Sequence, residues 1–191
     1  MGLARLMGEW QHAQGIHATA YLCGFCGLNV SSERGWQSTH EPNVNRIRIC
    51  PSCNRPTFFE AGGKQIPGVA HGRPVPNVPA EIDTLYDEAR KSTAAGAHTA
   101  AVLACRKLLM HIAVDHGAKP GLNFIEYVEY LANNGFVPPK GKGWVDHIRK
   151  KGNEANHEIV LMGPDASKDL LTFIEMLLTF LYDFPARIQT P

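Results

Sequence analysis

The 191-residue chain has no excess of charge of either sign, no long apolar run and no cysteine framework of the secreted kind. Nineteen Lys and Arg against eighteen Asp and Glu leave a formal charge of +1, so the chain-wide basic character of a nucleic-acid coat is absent. The most apolar stretch, Leu170 to Leu181, is twelve residues long and contains Glu175, too short to span a bilayer. Arg5, Glu9, His12 and His17 stand where a signal peptide needs an apolar run, and Leu6 stands where a myristoylation signal wants Ser or Thr. The expectation is a cytoplasmic protein with no membrane segment. Cysteines number five, four of them between positions 23 and 53, and an odd count so confined is not how a disulfide scaffold is built. There is no internal repeat and no glycine-rich phosphate loop.

What is present divides the chain in two. Between Ala61 and Ala80 stand Gly62, Gly63, Gly68 and Gly72 with Pro67, Pro74, Pro76 and Pro79, a density that excludes a helix or a central strand and reads as a linker. Before it lie short β-like pieces at Thr19 to Leu22, Arg46 to Ile49 and Thr57 to Phe59. After it the pattern is helical. Ile82, Leu85, Tyr86 and Ala89 give one apolar face, and Val102, Cys105, Leu108, Leu109 and Ile112 give a second, ending at Gly117. Asn123 with Glu126 is a capping-box arrangement, and Leu122 can staple onto Tyr127. A fourth helix is expected from Trp144, and a fifth from Asp165 that ends before Pro185. The organisation predicted is a small module over 1–60, a linker over 61–80 and a compact helical bundle over 81–191. Residues 1–80 carry seven basic and four acidic side chains, residues 81–191 twelve and fourteen.

Cys23-Gly-Phe-Cys26 and Cys50-Pro-Ser-Cys53 are two C-x-x-C knuckles with 23 residues between them. Zinc takes four soft ligands in a tetrahedron, and each knuckle supplies two thiolates from one tight turn. Gly24, Gly27 and Pro51 are turn formers where the chain must fold back. With flanking strands this predicts a zinc ribbon with an N-terminal extension; two disulfides or four free thiols are the other reading of the same residues. Four thiolates leave no open position, so the predicted zinc is structural. Arg34, Arg46, Arg48 and Arg55 near Trp36, Phe58 and Phe59 are either a nucleic-acid grip or solvated arginines around a small core. Cys105, on an apolar helix face, is expected to be a core residue. His111 with Asp115 at i, i+4, and His116 at a helix end, are expected to be structural.

The densest polar constellation is Arg149-Lys-Lys-Gly-Asn153-Glu-Ala-Asn-His157. On a helix Arg149, Asn153 and His157 follow at i, i+4 and i+8, within an arc of roughly 80° opposite the apolar Trp144, Ile148, Ala155 and Ile159. Lys140, Lys142, Lys150 and Lys151 concentrate positive charge beside them, a candidate nucleic-acid surface.

The order of cysteine knuckles, Pro/Gly linker, then LYDEARKSTAAGAHTAAVLACRKLLMHIA and IRKKGNEANHE, resembles a bacterial family of unknown function grouped with the HEPN-like helical domains. The resemblance runs from roughly Tyr21 to Pro185. It implies a mainly α protein, a HEPN-like bundle preceded by a small β zinc ribbon, that commonly forms homodimers, with relatives in phage defence and toxin–antitoxin settings. Many HEPN-like proteins are metal-independent ribonucleases with an Arg, usually a polar residue next, and a His after four to six intervening residues. His157 and Asn153 match the His and the polar position, but the Arg position is held by Gly152, and Arg149 lies outside the spacing. Two functions follow as expectations. One is an RNA-binding or RNA-cleaving protein with His157 as base, Asn153 orienting it and Arg149 on phosphate. The other is a non-catalytic dimeric module whose ribbon docks a protein or nucleic acid.

Overall fold

A computed structural model of the chain describes residues 9–39, 42–137, 143 and 161–188, which fall into two compact units, Met1–Ala70 and His71–Pro191. Neither the helix expected from Trp144 nor its Arg149, Asn153 and His157 lies within the described residues, and Lys140, Lys142, Lys150 and Lys151 are outside them as well.

The first unit is an antiparallel meander of five strands in sequence order: β1 (Gln14–Leu22), β2 (Asn29–Gln37), β3 (Arg46–Ile49), β4 (Pro56–Phe59) and β5 (Gln65–Ile66). Residues 23–28 close the β1–β2 hairpin and residues 50–55 close β3–β4, so each C-x-x-C forms a hairpin loop of the same length. Between Gly15 and Thr19 the β1 register slips, leaving extra residues opposite β2. Arg48 fills that irregularity. From β3 its Nη1 donates to the carbonyls of Ser32 on β2 (2.7 Å) and His17 on β1 (2.8 Å), and its Nη2 to Thr19 Oγ1 (2.7 Å). Three strands are thus pinned by one guanidinium. Gly35, opposite Arg48, has no room for a Cβ, which would run into the Ile47 carbonyl.

The second unit is helical: α1 (Ala80–Ala94), α2 (His98–Asp115), α3 (Phe124–Asn133) and α4 (Pro164–Leu178), which runs through a π turn (Thr179–Asp183) into the short α5 (Phe184–Ile188). The predicted apolar faces form one core, with Ile82, Tyr86, Cys105, Leu109, Ile112, Leu131, Leu171 and Ile174 all buried. Each fully buried aliphatic side chain contributes on the order of 2 kcal/mol, which is why the amphipathic period was readable. The capping box at Asn123 is complete: Glu126 N–H donates to Asn123 Oδ1 (3.0 Å), and Asn123 N–H to Glu126 Oε2 (2.7 Å).

One expectation is corrected. The last helix does not stop before Pro185; the wider i→i+5 turn just ahead of it lets the chain stay helical where a proline ring would otherwise meet a carbonyl one turn back. The Pro/Gly stretch, within which the two units divide, is fastened at both ends. Its start supplies β5, and its end is strapped to the helices. Arg90 donates to the carbonyls of His71 (3.1 Å) and Gly72 (2.9 Å), Tyr86 Oη to that of Arg73 (3.1 Å), and Arg73 pairs with Glu175 (3.3 Å). Among the described residues no helix is long and apolar enough to cross a membrane.

Candidate metal centre

The two hairpin loops are built alike. In the first, Gly27 N–H donates to Cys23 O (2.8 Å) and Cys23 N–H to Leu28 O (2.9 Å). In the second, Asn54 N–H donates to Cys50 O (2.9 Å) and Cys50 N–H to Arg55 O (3.0 Å). The residue after each second cysteine is left-handed, Gly27 at φ +71° and Asn54 at φ +56°. Glycine takes that conformation freely, and asparagine is among the few residues that accept it at low cost. The two loops therefore aim their cysteine pairs from equivalent frames.

The four sulfurs converge within 4.8 Å of one another. Cys23 Sγ lies 3.8 Å from Cys53 Sγ, and Cys26 Sγ 3.8 Å from Cys50 Sγ, far beyond a disulfide bond; all are free thiols. Sulfurs placed about 2.3 Å from a tetrahedral zinc are separated by about 3.8 Å, so the cluster has the size of a zinc tetrathiolate and could hold a metal ion. Amides help: Phe25 N–H points at Cys23 Sγ (3.4 Å) and Cys53 N–H at Cys50 Sγ (3.5 Å). Without a cation between them the thiols cannot all ionise. Burial pushes Cys53 up to about 12, with its Cys50 and Cys23 neighbours adding to the rise, and burial also raises Cys26. Cys23 goes the other way: burial raises it, but the Cys26 and Phe25 amides aimed at its sulfur, together with the Cys26 and Cys50 thiols, more than offset that. A divalent cation resolves the conflict. Tyr21, Val30 and Phe59 pack against the cluster, with the Tyr21 and Phe59 rings edge to face at 5.0 Å.

The arginines expected to form a nucleic-acid grip part company. Arg46 is half-buried with its Nη1 on Val44 O (3.5 Å). Arg48 is 3 % exposed and spends its donors on the sheet, so it offers nothing to a phosphate; this corrects its expected role. Arg34 binds Trp10 O (3.2 Å), and Trp10 in turn donates from Nε1 to Asn54 O (2.9 Å), tying the N-terminal extension to the second loop. Cys105 is fully buried, and burial pushes its thiol up to about 12, which leaves it inert at neutral pH. His111 and Asp115 lie 3.9 Å apart, and His116 Nδ1 is 2.8 Å from Ile112 O at the end of α2. Arg106 stacks over Phe124 at 4.5 Å. Sequence reasoning overlooked Asn54, whose signal was available: it follows Cys53 as Gly27 follows Cys26.

A family model described as a domain of unknown function, DUF4145, matches residues 87–190, from within α1 to the C-terminal end and over half of the chain. The chain belongs to the DUF4145 family. The match covers most of the helical unit, and the cysteine-bearing sheet of this DUF4145 protein lies ahead of it. No curated protein and no solved structure matches the chain.

Proposed function

We propose that this DUF4145 protein is a non-catalytic binding module in which a structural zinc ribbon precedes a HEPN-like helical domain. One observation carries the reading: four cysteine sulfurs, a complete tetrahedral ligand set, lie within 4.8 Å of one another. Zinc held by Cys23, Cys26, Cys50 and Cys53 would have no open coordination position, so its chemistry is to tie two hairpin loops together. The buried apolar cluster around those loops is small, with Tyr21 its one buried non-cysteine member, and metal binding then supplies much of the folding free energy, on the order of 10 kcal/mol. The reading includes a cytoplasmic location and a homodimer formed through the helical domain, as the HEPN resemblance implies. Anaerobically purified protein is expected to carry one zinc per chain, to lose it in Cys50→Ser, and to unfold its sheet but not its helices on chelation. Protein without zinc, or with two disulfides by mass spectrometry, sinks the reading.

A second reading rests on the sequence constellation Arg149, Asn153 and His157 with its flanking lysines. There the protein acts on RNA in bacterial or phage conflict, His157 taking a ribose proton and Arg149 binding phosphate. Metal-independent degradation of structured RNA that His157→Ala abolishes would establish it and displace the module reading. Gly152 at the expected arginine position and the burial of Arg48 favour the module.

A further inference from the structure

The two cysteine loops are equivalent in backbone and opposite in surface. Matching hydrogen bonds align Phe25 with Ser52 and Leu28 with Arg55. Metal binding asks the same of both loops, so it does not explain why one is apolar at its tip and the other polar. In the first loop Phe25 is 42 % and Leu28 53 % exposed. Leu22 (41 %), Ile66 (44 %) and Val69 (38 %) join them, and these five are all the large exposed apolar side chains among the described residues of the first unit. The chain segments that carry them meet, residues 22–24 against residues 65–68. Gln65 Nε2 donates to Leu22 O (2.9 Å) and Pro67 O (3.1 Å), and Gly24 sits so close to the Pro67 and Gly68 carbonyls that a Cβ would lie 2.6 Å from the latter. At about 200 Å² for a large side chain, the exposed fractions amount to ~400 Å² of apolar surface, the size of a functional patch and of the apolar centre of a standard interface.

We infer that the tip of the first cysteine loop is a docking face for a partner protein, and that the occupant is a segment pairing large apolar side chains with an acidic residue. The acidic requirement comes from Arg55. Its guanidinium stands 5.1 Å over the Phe25 ring, is exposed, and has no carboxylate partner among the described residues. An interface that covers it must supply a negative charge or leave a cation desolvated and unpaired. RNA fits less well: a phosphate backbone is held by several cations, whereas Arg55 is the one cation carried by the two loops, residues 23–28 and 50–55. The face is preorganised, because the amide bonds of the loop, the Gly24 contact and the Arg55–Phe25 stack hold it without a partner, which lowers the ordering cost of binding. The inference rests on the reading of the ribbon as a binding module and names its partner class.

The test uses the zinc-loaded full chain against a displayed library of random short peptides and, separately, a fluorescent poly-uridine RNA. Selected peptides are expected to share large apolar residues next to Asp or Glu. The Phe25→Ser, Leu28→Ser double variant should keep one zinc per chain and bind them at least about tenfold more weakly. Arg55→Glu, which leaves the apolar residues in place, should turn the selection from acidic to basic peptides. The inference is overturned by the absence of a consensus, by peptides that bind the double variant as they bind wild type, or by RNA binding that the double variant loses. It is overturned equally if wild type self-associates and the double variant does not, since the occupant is then a second copy. The module reading fails on different readouts, namely missing zinc or His157-dependent RNA cleavage.

Discussion

Arg48 lets the sheet be tested against the role the sequence suggested for it. The perturbation is Arg48→Met, which keeps an apolar stem of similar length and removes the guanidinium. Three charge-assisted hydrogen bonds of 2.7–2.8 Å are lost, each contributing about 1.5–3 kcal/mol, and the Ser32 carbonyl loses its guanidinium donor. Against this stands the cost of holding a cation inside the sheet. Burial, and next the charge of Arg46, already hold the guanidinium below its ordinary range, and removing it recovers several kcal/mol of desolvation. The difference is a net loss of about 2 kcal/mol, or roughly 8–16 °C in the melting temperature of a unit this small. Arg48→Lys should fare no better, because one ammonium retains the desolvation cost and cannot reach three acceptors on two strands. Tryptophan fluorescence in a Trp144→Phe background reports the sheet alone, since Trp10 and Trp36 pack edge to face at 6.0 Å on it. If both variants melt within about 2 °C of wild type, the pinning argument is wrong. If they also lose RNA binding, Arg48 is the nucleic-acid contact after all.

Further outcomes follow from the same geometry. Burial raises the Cys105 thiol from 9.0 to about 12, so the folded state keeps its proton longer than the unfolded chain does. Its contribution to stability is whole below pH 9.0 and is lost as pH rises through about 12; native zinc-loaded protein should leave Cys105 unlabelled by iodoacetamide at neutral pH. Asn54→Ala should cost about 1 kcal/mol and Asn54→Gly almost nothing, since alanine keeps the Cβ at a left-handed φ without the short amide that offsets its strain, and glycine has no Cβ to strain. Equal melting of the two would contradict this. Gly72 is at φ +73°, and a Cβ there would lie 2.8 Å from Glu175 Oε2, so Gly72→Ala should destabilise the helical unit by about 1–3 kcal/mol, read from its thermal melting followed by helix circular dichroism. Unchanged melting would mean that residues 71–73 are not held as described.

The helical faces and the capping box were legible because they are local. An apolar side chain every third or fourth position, and an Asn three residues before a Glu, report on neighbours within one turn. The C-x-x-C pairs were legible for a related reason, since a tight turn fixes two thiols in each. The helix through Pro185 was not, because a proline's local veto gave way to a widened turn that only the surrounding core selects. Arg48 and Asn54 were misread or missed because their partners, at positions 17, 19, 32 and 10, are distant in sequence.

Residue types and spacing by themselves determined that this chain would pair two cysteine turns, bear an apolar-faced set of helices and break its pattern between them. Only the tertiary structure decided which arginine is buried, which loop is apolar at its tip, and how much of the Pro/Gly stretch is fastened down. The division is physical. Turn and helix preferences act over a few residues and are written into short stretches of sequence. The burial of a charge or the exposure of a leucine depends on what long-range strand pairing and packing place beside it.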